Sequence, residues 1–346
     1  MHPHKSSTMK RIFSLFSIIG LFLVSSCQNR PEQTTEHKET SSVANLGKDT
    51  FGIINYSVVN MNSKGEFDAD IVSQSLMGTP VRIRNLQSWL QIETPEGYKG
   101  WVTQASVTRL DKEGMNTWTA SPKIIFLKNC GNVYEQPNTK SQTISDLVSG
   151  NMLKLEGEQG IFYFVSFPDG RKGYVQKDEA QPLEQWLNNI QLTPESLIKR
   201  AKSLLGVPYF WGGLSSKGVD CSGLIKYTTF MHGLILLRDA SQQIKTGIRL
   251  NPGKDFENLK AGDLVFFGKA AEGDKKERVS HVGLYLGDKA FIHSMNSVHI
   301  SSFDPASPYY DEYNLGRFIG ATRFIESIDT PGISTLKSNP FYQIQE

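Results

Sequence analysis

Residues 208–224 read P-Y-F-W-G-G-L-S-S-K-G-V-D-C-S-G-L and carry one cysteine, Cys221. Apolar residues with helical spacing follow this cysteine as far as Leu234. A cysteine that opens a helix lies at the positive end of the helix dipole, beside unpaired backbone N–H groups, and both favour the thiolate over the thiol. The stretch therefore predicts a helix that begins near Cys221, with this residue as a nucleophile.

Two strand-like blocks further along the chain each supply one histidine. His281 lies in S-H-V-G-L-Y-L-G, and His293 lies in F-I-H-S. A thiolate, an imidazole base and a second polar group that orients the imidazole are the parts of a cysteine acyl-transfer site. We predict that Cys221 attacks the substrate, that His281 is the base and that His293 orients His281.

These three blocks, in this order, resemble the NlpC-type family of bacterial cell-wall cysteine peptidases, a permuted papain-like group. The resemblance covers roughly the last 150 residues, a normal length for a single domain. The matching residues are Tyr209, Trp211-Gly212-Gly213, Asp220-Cys221-Ser222-Gly223-Leu224, His281-Val282-Gly283 and His293. Several separate motifs at compatible spacing make the resemblance specific, whereas a lone D-C-S-G would be weak.

The resemblance extends to the dipeptidyl-peptidase VI group, whose members carry N-terminal SH3-like barrels. It implies hydrolysis of the γ-D-glutamyl–diamino acid bond, with meso-diaminopimelate or lysine as the diamino acid. The implied substrates are peptidoglycan stem peptides that begin with free L-alanine. We expect a monomer that acts on peptidoglycan-derived peptides without a cofactor.

The resemblance also implies substrate-binding residues beside the predicted nucleophile. Attack on an amide creates an oxyanion that needs donors, which the Cys221 N–H and Tyr209 would supply. A carboxylate at Asp220 would disfavour the neighbouring thiolate, so its presence suggests a task that outweighs this cost. The implied task is to bind the free amino group of the substrate, with polar contacts from Ser222, Asp239 and Ser241.

The first barrel of the group contributes an acid and an aromatic residue that narrow the groove, and Asp70 and Tyr98 are the matching positions here. Packing in a hydrophobic core is the alternative for Tyr98 and for Tyr209.

Other interpretations of the cysteine and the histidines stay open. Cys221, His281, His293 and His299 could together bind zinc, but neither C-x-x-C pairs nor H-E-x-x-H occur. The domain could be an inactive module of a wall-binding protein, or an acyltransferase that uses the same cysteine. The peptidase hypothesis is preferred because Cys221, His281 and His293 are all present, and it requires no metal.

Composition limits the architecture and the partners. A chain of 346 residues with 38% hydrophobic content can form two or three domains. The net charge is only +2, from 37 basic and 35 acidic residues, so no nucleic-acid partner is expected. The three cysteines are too few for a disulfide framework. We expect Cys130 to be a buried, inert thiol.

The start of the chain has the pattern of an export signal. Met9-Lys10-Arg11 is basic, residues 12–24 are apolar, and Ser25-Ser26-Cys27 resembles the lipobox of bacterial lipoproteins. We predict a lipoprotein signal peptide at 1–27 and a periplasmic protein anchored to the membrane by a lipid on Cys27. Ordinary secretion or an uncleaved anchor is the alternative. The polar residues 28–48 are predicted to be a flexible tether.

Two β units are predicted before the cysteine stretch, at 49–120 and 121–185. P-E-G-Y-K-G-W-V at 95–102 aligns with P-D-G-R-K-G-Y-V at 168–175, an offset of 73 residues (168 minus 95), which indicates an internal repeat. Each unit looks like the bacterial SH3-like barrel that often accompanies cell-wall hydrolases.

The remaining residues, 190–346, are predicted to form the papain-like domain. Thr193 as N-cap and Pro194 at the first helical position predict a helix over 196–205. Helical patterns precede a series of strand-like runs, which is an α+β order.

Overall fold

The computed structural model describes residues 47–344, so the predicted signal peptide, with Cys27, and nearly all of the predicted tether lie outside the described residues. Strands form most of the first half of the described chain, and the second half mixes helices with strands, which confirms the predicted α+β class. Among the described residues, no helix is long and apolar enough to cross a membrane.

The first sheet is built from seven antiparallel strands in the order β3-β2-β6-β5-β4-β1-β7. These strands are β1 (Phe51–Ile54), β2 (Val58–Asn62), β3 (Ile71–Leu76), β4 (Pro80–Leu86), β5 (Trp89–Glu93), β6 (Lys99–Thr103) and β7 (Val107–Leu110). Helix α1 (Lys112–Ala120) follows, with the Asp111 carboxylate as its N-cap. Leu90, Ile92 and Val102 are fully buried and share one core, which leaves the other face of the sheet to solvent or to neighbours.

The second sheet repeats the order of the first, as β10-β9-β13-β12-β11-β8-β14. Its strands are β8 (Lys123–Phe126), β9 (Gly131–Tyr134), β10 (Thr143–Leu147), β11 (Met152–Gln159), β12 (Phe162–Ser166), β13 (Lys172–Gln176) and β14 (Ala180–Pro182). The repeated Lys-Gly-aromatic-Val sequence begins β6 in the first sheet and β13 in the second. The repeat in the sequence is therefore a repeat in strand order.

The third region contains helices on a six-stranded sheet of order β18-β23-β19-β20-β21-β22. Its helices are α2 (Leu183–Asn189), α3 (Pro194–Lys202), α4 (Cys221–Phe230), α5 (Ala240–Gln243) and α6 (Glu312–Leu315). Its strands are β15 (Leu214–Ser215), β16 (Gly218–Val219), β17 (Leu234–Leu236), β18 (Ile248–Leu250), β19 (Leu264–Lys269), β20 (Arg278–Gly287), β21 (Ala290–Met295), β22 (Ser297–Ser302), β23 (Phe318–Arg323) and β24 (Ile333–Thr335).

Two helices end earlier than the apolar pattern predicts. Helix α3 starts at the predicted cap, where the Thr193 side chain accepts from the Ser196 N–H, but it ends at Lys202. Helix α4 ends at Phe230, and Leu234 begins β17 instead of continuing the helix. Gly233 explains this second end, because its φ of +73° lies in the left-handed region that terminates helices.

The first sheet packs against the third region through buried polar contacts. The Ser73 hydroxyl of β3 accepts from Nε of Arg238 at 3.0 Å, and the Gln74 amide oxygen accepts from the Leu214 N–H at 2.9 Å. Lys226 and Glu96 form a buried ion pair of 3.1 Å between α4 and the first sheet. Buried polar groups need partners, so these contacts hold β3 beside the start of α4.

Candidate active site

Cys221 is the first residue of α4, as the sequence predicts. The preceding Asp220 caps the helix, because its Oδ1 accepts from the Gly223 N–H at 2.7 Å. Gly223 is required for a second reason: a Cβ at this position would lie 1.9 Å from the Gly213 carbonyl oxygen. The W-G-G and D-C-S-G motifs are therefore in direct contact, and no larger residue fits between them.

The Cys221 thiol is buried, with 8% of the residue exposed. Burial first, and then the charge of Asp220, raise the pKa of the thiol to about 12. The backbone N–H groups of Val282 and Ser222 bond to the sulfur and lower its pKa, but their effect is smaller. The expected preference for the thiolate is therefore wrong for the empty site, because desolvation outweighs the donors at the helix start.

The two predicted histidines are in contact on neighbouring strands. Nε2 of His281 in β20 lies 2.7 Å from Nδ1 of His293 in β21. Nε2 of His293 lies 3.0 Å from the Ser301 hydroxyl and 4.0 Å from Oδ2 of Asp311. Because Nε2 of His281 is hydrogen-bonded to His293, Nδ1 is the ring nitrogen of His281 that remains to accept the thiol proton. The Val282 bond to the sulfur places Cys221 against the strand that carries His281.

Both imidazoles are neutral at neutral pH. Burial first, and then the Arg317 cation, lower the pKa of His281 to about 4. Burial also lowers the pKa of His293 to about 2, with a further contribution from His281. In the resting site, the Cys221 thiol and the His281 imidazole are therefore both neutral. From this state, the thiol proton moves to the imidazole as the sulfur attacks the substrate.

The structure corrects the expected role of Asp220. Its carboxylate forms a two-point pair with Arg238, with Nη2–Oδ2 at 2.5 Å and Nη1–Oδ1 at 3.1 Å. Oδ2 also accepts from the Gly212 N–H at 3.0 Å. Ser222 is likewise engaged, because its hydroxyl accepts from Arg238 at 2.9 Å and donates to Asp220. Asp220 therefore presents no free carboxylate to a substrate, and its charge is balanced by a buried guanidinium.

A pocket of about 310 Å³ opens beside Cys221. The first sheet supplies Val72 and Tyr98 to its wall, and Trp211, Val279 and Ser280 also line it. The predicted substrate-binding residues that the pocket brings together are Tyr98, Tyr209, Asp220, Ser222, Asp239 and Ser241.

Asp70 is the predicted substrate-binding residue that the structure leaves outside this pocket. It is exposed and lies just before β3, and it is not part of the pocket lining. Its expected role in narrowing the groove is therefore not supported by the geometry. Val72, two residues later in β3, does form part of the wall.

The structure also locates Cys130 and His299, the other cysteine and histidine that the sequence analysis considered. Cys130 is exposed, so the prediction of a buried thiol is wrong, and both Cys130 and Cys221 are free. The His299 ring lies 4.3 Å from that of His293, with Nδ1 bonded to the Ser297 carbonyl at 2.8 Å. Across residues 47–344, no group of three or more His, Cys, Asp or Glu side chains is arranged to hold a metal ion.

Comparison with protein families agrees with this geometry, since residues 206–322 match the NlpC/P60 family model. Residues 206–322 are an NlpC/P60 domain. The matched range contains the cysteine, both histidines and the sheet that carries them. The predicted family is thereby confirmed.

The similarity to known proteins extends beyond the NlpC/P60 domain. The chain is 29% identical over 264 residues to the γ-D-glutamyl-L-lysine dipeptidyl-peptidase of Bacillus cereus, covering 73% of this chain and 75% of that protein. It is 28% identical to dipeptidyl-peptidase 6 of Lysinibacillus sphaericus, covering 73% and 92% of the two chains. Both alignments exceed the length of the NlpC/P60 domain, so they include part of the β-rich region.

A solved structure shows the same fold. The crystal structure of an NlpC/P60 family protein from Bacillus cereus superposes with a TM-score of 0.65 at 23% identity. The match covers 79% of this chain and 99% of that one. The predicted fold class, a papain-like domain preceded by β-rich units, is confirmed by this match.

Sequence reasoning missed three residues that contact the candidate site. Arg238 is 1% exposed and pairs with Asp220, while Ser301 and Asp311 approach the outer nitrogen of His293. An acid directly before a buried cysteine could have signalled the need for a countercharge. No local signal in the sequence indicates Ser301 or Asp311, because their role arises from packing between β21, β22 and the start of α6.

Proposed function

We propose that this protein is a cysteine peptidase that hydrolyses the γ-D-glutamyl–diamino acid bond of peptidoglycan stem peptides with a free N-terminal L-alanine. The names of the relatives agree with this activity. The observation that carries the proposal is the pocket beside Cys221, whose lining includes both this predicted nucleophile and the acidic residue Asp239. Meso-diaminopimelate and lysine are both candidates for the diamino acid.

The first chemical step forms a thioester. Nδ1 of His281 takes the thiol proton as the sulfur of Cys221 attacks the γ-carbonyl carbon. Burial raises the pKa of Tyr209 above its usual value, so its hydroxyl stays protonated and can donate, with the Cys221 N–H, to the oxyanion. His281 then returns the proton to the departing amine as the C–N bond breaks.

The second step releases the acyl group. His281 removes a proton from a water molecule, the resulting hydroxide attacks the thioester carbon, and the proton passes to the sulfur of Cys221. In this scheme Nε2 of His281 donates to Nδ1 of His293, whose own Nε2–H donates to Ser301. His293 thereby fixes the ring orientation of His281 in both steps.

The free amine of the substrate fits the charge balance of the pocket. Asp220 and Asp239 contribute two carboxylates, and Arg238 contributes one guanidinium, which leaves one excess negative charge. Because Arg238 is committed to Asp220, we assign the ammonium chiefly to Asp239, which is half-buried and hydrogen-bonded to Tyr98. Burial raises the pKa of Asp239, and an arriving cation would lower it again.

The first sheet restricts the length of the substrate. With the ammonium assigned to Asp239, which is hydrogen-bonded to Tyr98, the pocket wall formed by Val72 and Tyr98 would block a glycan strand attached through that amine. This supports action on released peptides over cleavage of the intact sacculus.

We further propose export and a lipid on Cys27, with the mature protein held at the periplasmic side of a membrane as a monomer. The basic, apolar and small residues of the stretch from residue 9 to Cys27 support this part.

The function is tested by mass spectrometry on two tripeptides, L-Ala-γ-D-Glu-meso-diaminopimelate and its N-acetyl derivative. The expected products of the first are L-Ala-γ-D-Glu and free diaminopimelate, and Cys221→Ala should give none. Acetylation removes the positive charge and adds bulk, so kcat/KM should fall by orders of magnitude, on the scale of a buried polar group left without its partner. Equal rates on both peptides would refute the free-amine requirement. Retention on purified sacculi without any cleavage would favour the wall-binding alternative.

A further inference from the structure

We propose that Arg317 binds a carboxylate of the substrate at the rim of the pocket beside Cys221. The inference rests on the proposed function, because it concerns a peptide with a free carboxylate next to the scissile bond. Arg317 belongs to the segment between α6 and β23 and is not among the residues that the sequence motifs indicate.

The Arg317 side chain is held in place before any substrate arrives. Its Nη2 donates to the Ser280 hydroxyl at 2.6 Å, and its Cζ lies 4.7 Å from the centre of the Tyr313 ring. Its backbone N–H donates to the Asn314 carbonyl at 3.1 Å, and its carbonyl accepts from the Gly268 N–H at 2.8 Å. Ser280 lines the pocket and directly precedes His281, so the guanidinium lies at the pocket edge on the side of the base.

The charge of Arg317 is not balanced by the protein. Within residues 47–344 it forms no ion pair, whereas Arg238, Arg249 and Arg323 in the same domain each pair with a carboxylate. A guanidinium stacked on an aromatic ring keeps its other N–H groups in a planar fork that matches a carboxylate. Arg317 therefore offers a preorganised and uncompensated donor for an anion.

In the empty site, the Arg317 cation makes His281 a weaker base. This cation is the second cause, after burial, that lowers the pKa of His281. The other titratable groups that act on the pKa of His281 are Asp311 and Asp220, which raise it, and His299, which lowers it. A bound carboxylate would neutralise Arg317, so the pKa of His281 would rise when substrate binds. The base would thus become stronger in the complex than in the free enzyme.

The proposed substrate carries an anion next to the scissile bond. A γ-linkage leaves the α-carboxylate of D-glutamate free on the residue that provides the scissile carbonyl. The diamino acid on the other side of the bond also has a free α-carboxylate in a tripeptide. Both candidate groups are carboxylates within one residue of the scissile bond. Amidation can remove the charge of either carboxylate while the other keeps its charge.

The test uses four tripeptides built on L-Ala-γ-D-Glu-L-Lys: the parent, the D-isoglutamine form, the C-terminal lysine amide and the doubly amidated form. Wild type should prefer the peptide with the recognised carboxylate by about 10- to 100-fold in kcat/KM, as for a charge-assisted hydrogen bond. Arg317→Gln should erase that preference, and Arg317→Lys should keep part of it. Arg278→Gln is the matched control, since Arg278 is exposed, begins the strand of His281 and has no carboxylate partner among the described residues.

The pH profile tests whether Arg317 acts on His281 as a cation, a readout that a merely structural role would not move. Removal of the Arg317 cation should move the acid limb of the kcat/KM profile to higher pH, because burial alone depresses the pKa of His281 less than burial and Arg317 together. An equal loss for all four peptides, or an unchanged ratio of acid to amide, would overturn the inference. If wild type cleaves none of the four while iodoacetamide still alkylates Cys221, the proposed function itself fails.

Discussion

Removal of the Arg238 guanidinium should destabilise the protein far more than removal of a surface arginine. Arg238 is 1% exposed and makes four hydrogen bonds, two to Asp220, one to Ser222 and one to Ser73. Arg238→Met keeps most of the apolar stem but leaves the carboxylate of Asp220 buried without its countercharge. Breaking a buried pair in this way costs about 3–5 kcal/mol in the free energy of unfolding.

The structure favours the lower end of this range. Asp220 retains two backbone donors after the substitution, the N–H groups of Gly212 and Gly223 at 3.0 and 2.7 Å. We therefore expect a loss of about 3 kcal/mol for Arg238→Met. Arg249→Met is the control, because Arg249 pairs with Glu277 at a partly exposed site where such pairs contribute about 0–1 kcal/mol.

Urea unfolding followed by tryptophan fluorescence measures these changes, and a double-mutant cycle isolates the pair. Asp220→Asn keeps an oxygen that can cap α4, so the double variant Asp220→Asn with Arg238→Met removes both charges and little else. The double variant should be more stable than the two single losses predict, with a coupling of about 2 kcal/mol or more. Additivity within about 0.5 kcal/mol would show that the pair does not hold the start of α4.

Four further outcomes are expected. Cys221→Ala should keep the fold and reduce turnover by more than about a hundredfold, while Cys130→Ala should leave the rate unchanged; substantial residual activity in the first would contradict the nucleophile. Ser301→Ala should lower kcat by about tenfold with little change in KM, because it removes the partner that orients His293; Ser301→Thr should restore much of the rate. The pKa of His293 is about 2 in the folded protein but about 6.5 when unfolded, so the unfolded state gains a proton first and stability should fall as pH drops below about 6.5. His293→Gln should weaken that fall in acid unfolding scans, and an unchanged slope would contradict the assignment. Cys27→Ser should move the exported protein from the detergent phase to the soluble fraction, and unchanged partitioning would refute lipidation.

Local patterns in the sequence were sufficient for the elements that carry the chemistry. The start of α4 at Cys221, the cap of α3 at Thr193 and the strand that carries His293 follow from signals that act within a few residues. The repeat at an offset of 73 residues likewise predicted two sheets, because each copy encodes the same strand and turn. The same patterns overestimated helix length, since an apolar residue such as Leu234 packs equally well from a strand.

The environment of these elements was decided only by tertiary structure. Ser73 and Arg238 are 165 residues apart in sequence, yet their contact helps to hold β3 beside the nucleophile. The raised pKa of Cys221 and the lowered pKa of His281 depend on how much water the surrounding elements exclude, which no spacing of residues reveals. Periodicity and capping act locally, whereas burial and charge pairing arise when distant segments meet. The sequence by itself therefore determined which residues are the candidates for catalysis, and the packed structure decided their protonation and their partners.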